Sequence, residues 1–134
     1  MGFEEVEHTA DKALRIFGTN LTELFLSGAA GLTHLMAVEI SEISTEIEKS
    51  IELEAIDAES LLVEWLSELA YWAESEMLVF KKFRIKKATA THLQAKLFGG
   101  KTSMLEKHIK AVTYHNLKII KTSHGLEATV VFDV

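Results

Sequence analysis

The sequence contains neither cysteine nor proline among its 134 residues. Without cysteine, the chain can form no disulfide, no thiolate nucleophile and no cysteine-bound zinc or iron–sulfur site. Without proline, its turns have to rely on Gly, Asn, Asp and Ser. The absence of cysteine fits a reducing compartment, and we expect the protein to be cytoplasmic.

Long apolar runs and excess positive charge are also missing. No apolar run approaches the ~18 residues that span a bilayer, and no export signal is recognisable, so we expect no membrane association. The formal net charge is −6. Nucleic-acid binding depends on phosphate neutralisation by Lys and Arg, so a stand-alone role in binding RNA or DNA is disfavoured. The charge instead favours a protein partner or a metal ion, with RNA contacted only indirectly.

Apolar periodicity predicts two helices. Asn20 and Glu23 have the spacing of a capping box, and they precede a helical apolar face that ends near Met36. Asp57 is the expected N-cap of a second helix, whose wide stripe includes Trp65 and Trp72. Gly28 and its small neighbours should let the first helix pack closely against a sheet.

The other segments alternate with the period of two that is typical of strands. Residues 3–18 form the first extended stretch, and Gly99-Gly100 is expected to end a strand over residues 91–98. Segments 111–121 and 126–134 are joined by a turn at residues 123–125. The predicted order is β-α-β-α-β-β-β-β. We therefore expect one α+β domain over residues 1–134, with two helices packed on a mostly antiparallel sheet.

Carboxylates at both ends of the chain form a candidate metal site. Asp11 follows His8 in the tetrapeptide His-Thr-Ala-Asp, and the sequence finishes with Phe132-Asp133-Val134. If Val134 is the last residue, its main-chain carboxylate adjoins Asp133 and gives two neighbouring oxygen donors. Oxygen donors suit Ca²⁺, Mg²⁺ or Mn²⁺. In the alternative interpretation, Asp11 caps a turn and Asp133 is a solvated chain end.

The only concentrated positive patch comprises Lys81, Lys82, Arg84, Lys86 and Lys87. Strand geometry places Lys82, Arg84 and Lys86 on one face. A solvated edge that resists strand-to-strand aggregation explains the patch, and a docking surface for RNA or protein is the alternative.

Together, four motifs resemble the archease family over essentially the whole chain. They are the tetrapeptide ending at Asp11, the segment Lys110–His115, the C-terminal Phe-Asp-Val, and the helix segment Leu61–Leu69. The resemblance implies a small α+β protein that is not itself an enzyme. It implies a protein cofactor of the RtcB-type RNA ligase, which joins tRNA halves during tRNA splicing. Such a cofactor promotes guanylylation of the ligase's active-site histidine and supports multiple turnover.

The resemblance also implies a divalent metal, with Ca²⁺ expected and Mg²⁺ or Mn²⁺ as alternatives, held at positions that here are Asp11, Asp133 and Val134. Lys110 is implied as a second functional residue, and His8 could orient or join the acidic site. One departure is Gly100-Lys101, where the family often has Gly-Glu. Two other functions stay open: a chaperone or modulator of tRNA-modifying enzymes such as methyltransferases, and a stand-alone metal-dependent hydrolase.

Overall fold

The computed structural model describes residues 1–7 and 11–134. It confirms the α+β class and the predicted order of helices and strands. The elements in chain order are β1 (Gly2–Val6), β2 (Lys12–Gly18), α1 (Leu21–Met36), β3 (Ile47–Glu54), α2 (Ala58–Glu76), β4 (Leu78–Ala88), β5 (His92–Lys101), β6 (Ala111–Thr113), β7 (Ile120–Thr122) and β8 (Gly125–Asp133). Within the described residues, no helix is long and apolar enough to cross a membrane.

The strands form two antiparallel sheets. One has five strands in the order β1-β2-β8-β6, with β7 also paired to β8, and the other has three strands in the order β3-β5-β4. Strand β8 is central, because β2 pairs along one side of it while β6 and β7 pair along the other. The last strand of the chain therefore lies next to one of the first.

Two predicted strands are each divided in the structure. The extended stretch 3–18 supplies both β1 and β2, which pair with each other. The segment 111–121 supplies β6 and the start of β7, which contact opposite ends of β8. Period-two alternation continues through such segments, so it reports extended backbone without showing where the chain turns back.

The expectation that Gly99-Gly100 ends a strand is wrong, because β5 continues to Lys101. A Cβ atom at Gly99 would lie 2.1 Å from the carbonyl oxygen of Val79, and one at Gly100 would lie 2.3 Å from Ser44 Oγ. Both glycines are therefore needed because neighbouring backbone and side-chain atoms approach the strand closely.

Helix α1 joins the two sheets. Its N-cap matches the prediction, since the Asn20 side chain accepts a hydrogen bond from Glu23 N at 2.9 Å. Ser27 Oγ donates to Phe17 O of β2 at 2.8 Å, whereas Thr33 Oγ1 donates to Phe80 O of β4 at 2.6 Å. A Cβ at Gly28 would be 3.3 Å from Ile16 Cδ1, as expected for close packing against a sheet.

Helix α2 completes the core. Asp57 is its N-cap and accepts a hydrogen bond from Ser60 N at 2.7 Å. Trp65 is fully buried, and its indole nitrogen donates to Phe25 O of α1 at 2.9 Å. The same indole meets the Phe83 ring of β4 edge-on, with 6.0 Å between centroids. Trp65 thus links both helices to the three-stranded sheet.

Candidate functional site

At one end of the five-stranded sheet, the start of β2 lies beside the end of β8. Lys12 is paired with Phe132 in the antiparallel register. Asp11 immediately precedes Lys12, and Asp133 immediately follows Phe132. Main chains of paired antiparallel residues lie about 4.5–5.5 Å apart at Cα. Asp11 and Asp133 therefore flank the same pair of facing residues at one sheet end, although they are far apart in sequence.

Lys110 lies at this end because of a second strand pairing. Ala111 of β6 is paired with Asp133 of β8. The preceding residue, Lys110, donates its main-chain N–H to Asp133 O at 2.8 Å. This hydrogen bond fixes the main chain of Lys110 beside the aspartate. The residue itself is exposed to solvent. We call Asp11, Lys110, Asp133 and Val134 the acidic end.

The acidic end follows a face of the sheet that points away from α1. Leu14 and Ile16 face α1, because a Cβ atom at Gly31 would meet Leu14 Cδ1 and one at Gly28 would meet Ile16 Cδ1. Side chains alternate along a strand, so odd-numbered residues of β2 belong to the opposite face. The odd-numbered residues of β2 are paired with odd-numbered residues of β8, which therefore share this outward face. Asp11 and Asp133 continue these two odd-numbered rows at the end of the strands.

Charges on this outward face are arranged around Arg15. Its Nε lies 2.6 Å from Glu4 Oε1, and its Nη1 lies 2.5 Å from Glu127 Oε1. The hydrogen bond to Glu4, followed by the charges of Glu127 and Glu4, raises the pKa of Arg15 above its ordinary value against the opposing effect of desolvation. The single cation at the centre of this face is therefore shared by two carboxylates, and further carboxylates occur at the end of the face. Asp133 is exposed and Asp11 is half-buried.

Sequence reasoning missed a charged groove on the side of the sheet that faces α1. Glu5, Lys12 and His34 line this open groove. Glu5 Oε1 is 3.8 Å from Lys12 Nζ, and Glu5 Oε2 is 3.9 Å from His34 Nε2. The pairing of β1 with β2 brings Glu5 near Lys12, and the packing of α1 on these strands brings His34 near Glu5. Neither contact follows from the sequence pattern of residues 3–18 alone.

The candidate site residues differ in what the structure says of them. His8 lies outside the described residues. Among residues 1–7 and 11–134, no group of three or more His, Cys, Asp or Glu side chains is placed to hold a metal ion. A metal at the acidic end would thus have two aspartate side chains, Asp11 and Asp133, and would need a further donor such as a main-chain oxygen of Val134. Hard oxygen donors of this kind fit Ca²⁺ or Mg²⁺ in chemistry.

Comparisons with known proteins assign the chain to a family. The model of the Archease protein family (MTH1598/TM1083) matches residues 3–134. Protein archease of Methanosarcina barkeri is 35% identical, and the match covers 98% of this chain and 95% of that protein. Similarity therefore extends over nearly the full length of both sequences.

Solved structures share the architecture. The solution structure of Methanobacterium thermoautotrophicum protein 1598 has a TM-score of 0.83 at 29% identity and covers 99% of each chain. A crystal structure from Thermotoga maritima, described as an archease and possible chaperone, has a TM-score of 0.67 at 24% identity. It covers 98% of this chain and 96% of that one, and at this identity it supports the fold alone.

Proposed function

This chain belongs to the archease family, and we propose that it acts as a protein cofactor of an RtcB-type RNA ligase. In this role it promotes guanylylation of the ligase and multiple turnover, using the acidic end. The observation that supports the proposal most strongly is the β2–β8 register, in which Asp11 adjoins Lys12 and Asp133 adjoins Phe132. A rigid sheet fixes both main chains, as a preorganised site requires.

The proposed metal ligands are Asp11, Asp133 and a main-chain oxygen of Val134. Asp11 and Asp133 are the side chains that would hold a divalent cation, with Ca²⁺ preferred and Mg²⁺ or Mn²⁺ as alternatives. When bound, the cation would supply positive charge that stabilises transferring phosphoryl oxygens. The exposed Asp133 makes this end accessible to a partner enzyme.

Lys110 has a different role in the proposal. Its N–H bond to Asp133 O fixes its Cα beside the carboxylates. Its ammonium group can then contact a phosphate or an acidic ligase residue at the same surface. The net charge of −6 favours approach to a basic RNA-handling enzyme.

The test is multiple-turnover joining of RNA halves by an RtcB-type ligase, with and without this protein. We expect the wild type to increase turnover, and Asp11→Asn to reduce the stimulation by about tenfold or more, as expected for loss of a metal ligand. Glu64→Gln on α2 is the matched control, because it removes one exposed negative charge away from the acidic end. Equal stimulation by Asp11→Asn and wild type would refute the role of the site.

A chaperone-like action on other tRNA-modifying enzymes, such as methyltransferases, is the second candidate function. It is favoured by the description of the Thermotoga structure as a possible chaperone. Failure of the wild type to stimulate the ligase, together with stabilisation of a methyltransferase, would support this alternative. If the protein were a stand-alone hydrolase, it would cleave phosphoesters with Mg²⁺ or Mn²⁺ in the absence of a ligase. We do not expect this activity.

A further inference from the structure

The outer face of the three-stranded sheet carries two rows of opposite charge. Strand β3 presents Glu48, Glu52 and Glu54 on its exposed side, whereas the edge strand β4 presents Lys82 and Arg84. Strand β5 lies between the two rows. The rows differ in how their charges are paired, and this difference indicates which kind of partner the face suits.

Two of the three glutamates in the acidic row are paired within the sheet. Glu48 Oε2 is 3.7 Å from Lys96 Nζ of β5. Glu52 Oε2 is 2.5 Å from His92 Nε2 and accepts a hydrogen bond from the Gln94 amide at 3.1 Å. These contacts occupy the charged and polar side chains of β5 that face outward. Glu48 and Glu52 consequently do not require a cationic partner from another molecule.

The basic row is not paired in this way. Within residues 1–7 and 11–134, none of Lys82, Arg84 and Lys86 has a carboxylate oxygen within 4.0 Å of its charged nitrogen atoms. Arg84 is also paired directly with Lys96 across β4 and β5. Like charges placed opposite each other destabilise a sheet. A polyanion along β4 would remove this repulsion.

An aromatic ring lies within the basic row. Phe98 of β5 is paired with Lys82 and is half-buried on the outer face. The Lys82 ammonium is 5.5 Å from the centre of this ring, and the Arg84 guanidinium is 5.8 Å from it. A base that takes a place on this ring would therefore have two cations close by for its phosphates. Aromatic rings flanked by cations are typical of surfaces that bind single-stranded nucleic acid.

We propose that single-stranded RNA binds along β4, with phosphates on Lys82, Arg84 and Lys86 and a base on Phe98. Lys86 belongs to the same surface, because it lines a shallow depression with Gln94 and Lys96. Lys82 and Arg84 are two residues apart, about 7 Å along the strand, and Lys86 follows at a β-bulge between Ile85 and Lys87. This surface is separate from the acidic end, and the proposal does not depend on activation of a ligase.

The test measures binding of a fluorescent oligouridylate of about 12 nucleotides by the protein alone, through fluorescence anisotropy over a range of salt concentrations. We expect log K to fall with log salt with a slope of about −2, which corresponds to three phosphate contacts on a single strand. The double variant Lys82→Ala/Arg84→Ala should reduce the magnitude of the slope by about 1.4. Phe98→Leu should weaken binding about tenfold while the slope stays the same.

Lys118→Ala/Lys121→Ala is the matched control, because it removes two exposed positive charges outside the three-stranded sheet. Its affinity and slope should remain close to those of the wild type. Circular dichroism checks that all variants are folded. The proposal is overturned if RNA does not bind in about 50 mM salt, if the control weakens binding as much as the β4 variant, or if polyglutamate binds in preference to RNA.

Discussion

The outer faces of the two sheets arrange their charges in opposite ways. In the five-stranded sheet, the cation Arg15 is enclosed between Glu4 and Glu127, and carboxylates occur at the end of the face. In the three-stranded sheet, Glu48 and Glu52 of β3 are paired with β5, whereas within residues 1–7 and 11–134 Lys82 and Arg84 of β4 have no carboxylate oxygen within 4.0 Å. One protein of net negative charge thus presents carboxylates at the end of one outer face and cations without carboxylate partners on the other. Net charge alone does not describe either surface.

The largest loss of stability is expected from a substitution of Trp65. This residue contacts β4 of the three-stranded sheet and donates a hydrogen bond to α1, the helix that joins the two sheets. Trp65→Ala removes a fully buried ring together with the hydrogen bond to Phe25 O. We expect the free energy of unfolding to fall by about 3–5 kcal/mol. Urea unfolding followed by circular dichroism measures this loss. Tyr71→Ala on the same helix is the control, since Tyr71 is 61% exposed and its truncation should cost much less.

A substitution at Gly99 should affect the three-stranded sheet alone. Gly99→Ala places a methyl group against the backbone of Val79 and Phe80, which cannot move aside easily. We expect a loss of about 2–3 kcal/mol in unfolding free energy. Hydrogen exchange should show weaker protection in β4 and β5 than in β2 and β8.

Gly28→Ala is the matched test for α1 and the five-stranded sheet. The new methyl group would meet flexible side-chain ends at 3.3–3.6 Å, and alanine favours helix more than glycine does. We expect a change in unfolding free energy within about 1 kcal/mol. A loss as large as that of Gly99→Ala would show that our account of close packing at these two glycines is wrong.

A smaller effect is expected at the outward face of the five-stranded sheet. Arg15→Met leaves Glu4 and Glu127 without their shared cation. The melting temperature should fall slightly at low salt, and the difference from wild type should shrink as salt screens the remaining charges. Arg15→Lys should recover part of the loss. A difference that is independent of salt would indicate that the side chain contributes through packing instead.

The smallest effect concerns pH and the outer face of the three-stranded sheet. Hydrogen bonds from His92 and then Gln94 lower the pKa of Glu52 below its ordinary value of 4.5. A lowered pKa stabilises the folded state above the ordinary value, and this contribution is lost as pH falls through the folded pKa. Between about pH 5 and pH 3, the melting temperature of Glu52→Gln should fall less steeply than that of wild type. Equal slopes would contradict this account.

Local features of the fold were predictable from the sequence, whereas long-range pairing was less so. Asn20 and Asp57 could be recognised as N-caps because capping depends on residues three positions apart. The close approach of Val79 to Gly99 depends on strand pairing, and the sequence alone suggested a strand end instead. The difference in charge pairing between β3 and β4 could be recognised only from the strand register, since it depends on which residues of β5 face each glutamate.

The candidate site was indicated by its residue types, and its arrangement depends on the same kind of pairing. Asp11 and Asp133 are oxygen donors, but no local spacing relates them. Their neighbours Lys12 and Phe132 pair only because β8 inserts beside β2. In the sequence, only the resemblance to the archease family related the two aspartates to each other. Phe98 was missed because it matters only beside Lys82 and Arg84 on the neighbouring strand.

The most direct test of the central claim is a calorimetric titration of Ca²⁺ into the protein. We expect one binding site in the wild type, which is lost or strongly weakened in both Asp11→Asn and Asp133→Asn and is retained in Glu64→Gln. Absence of Ca²⁺, Mg²⁺ and Mn²⁺ binding by the wild type, or equal binding by all four proteins, would contradict the claim that Asp11 and Asp133 together hold a cation.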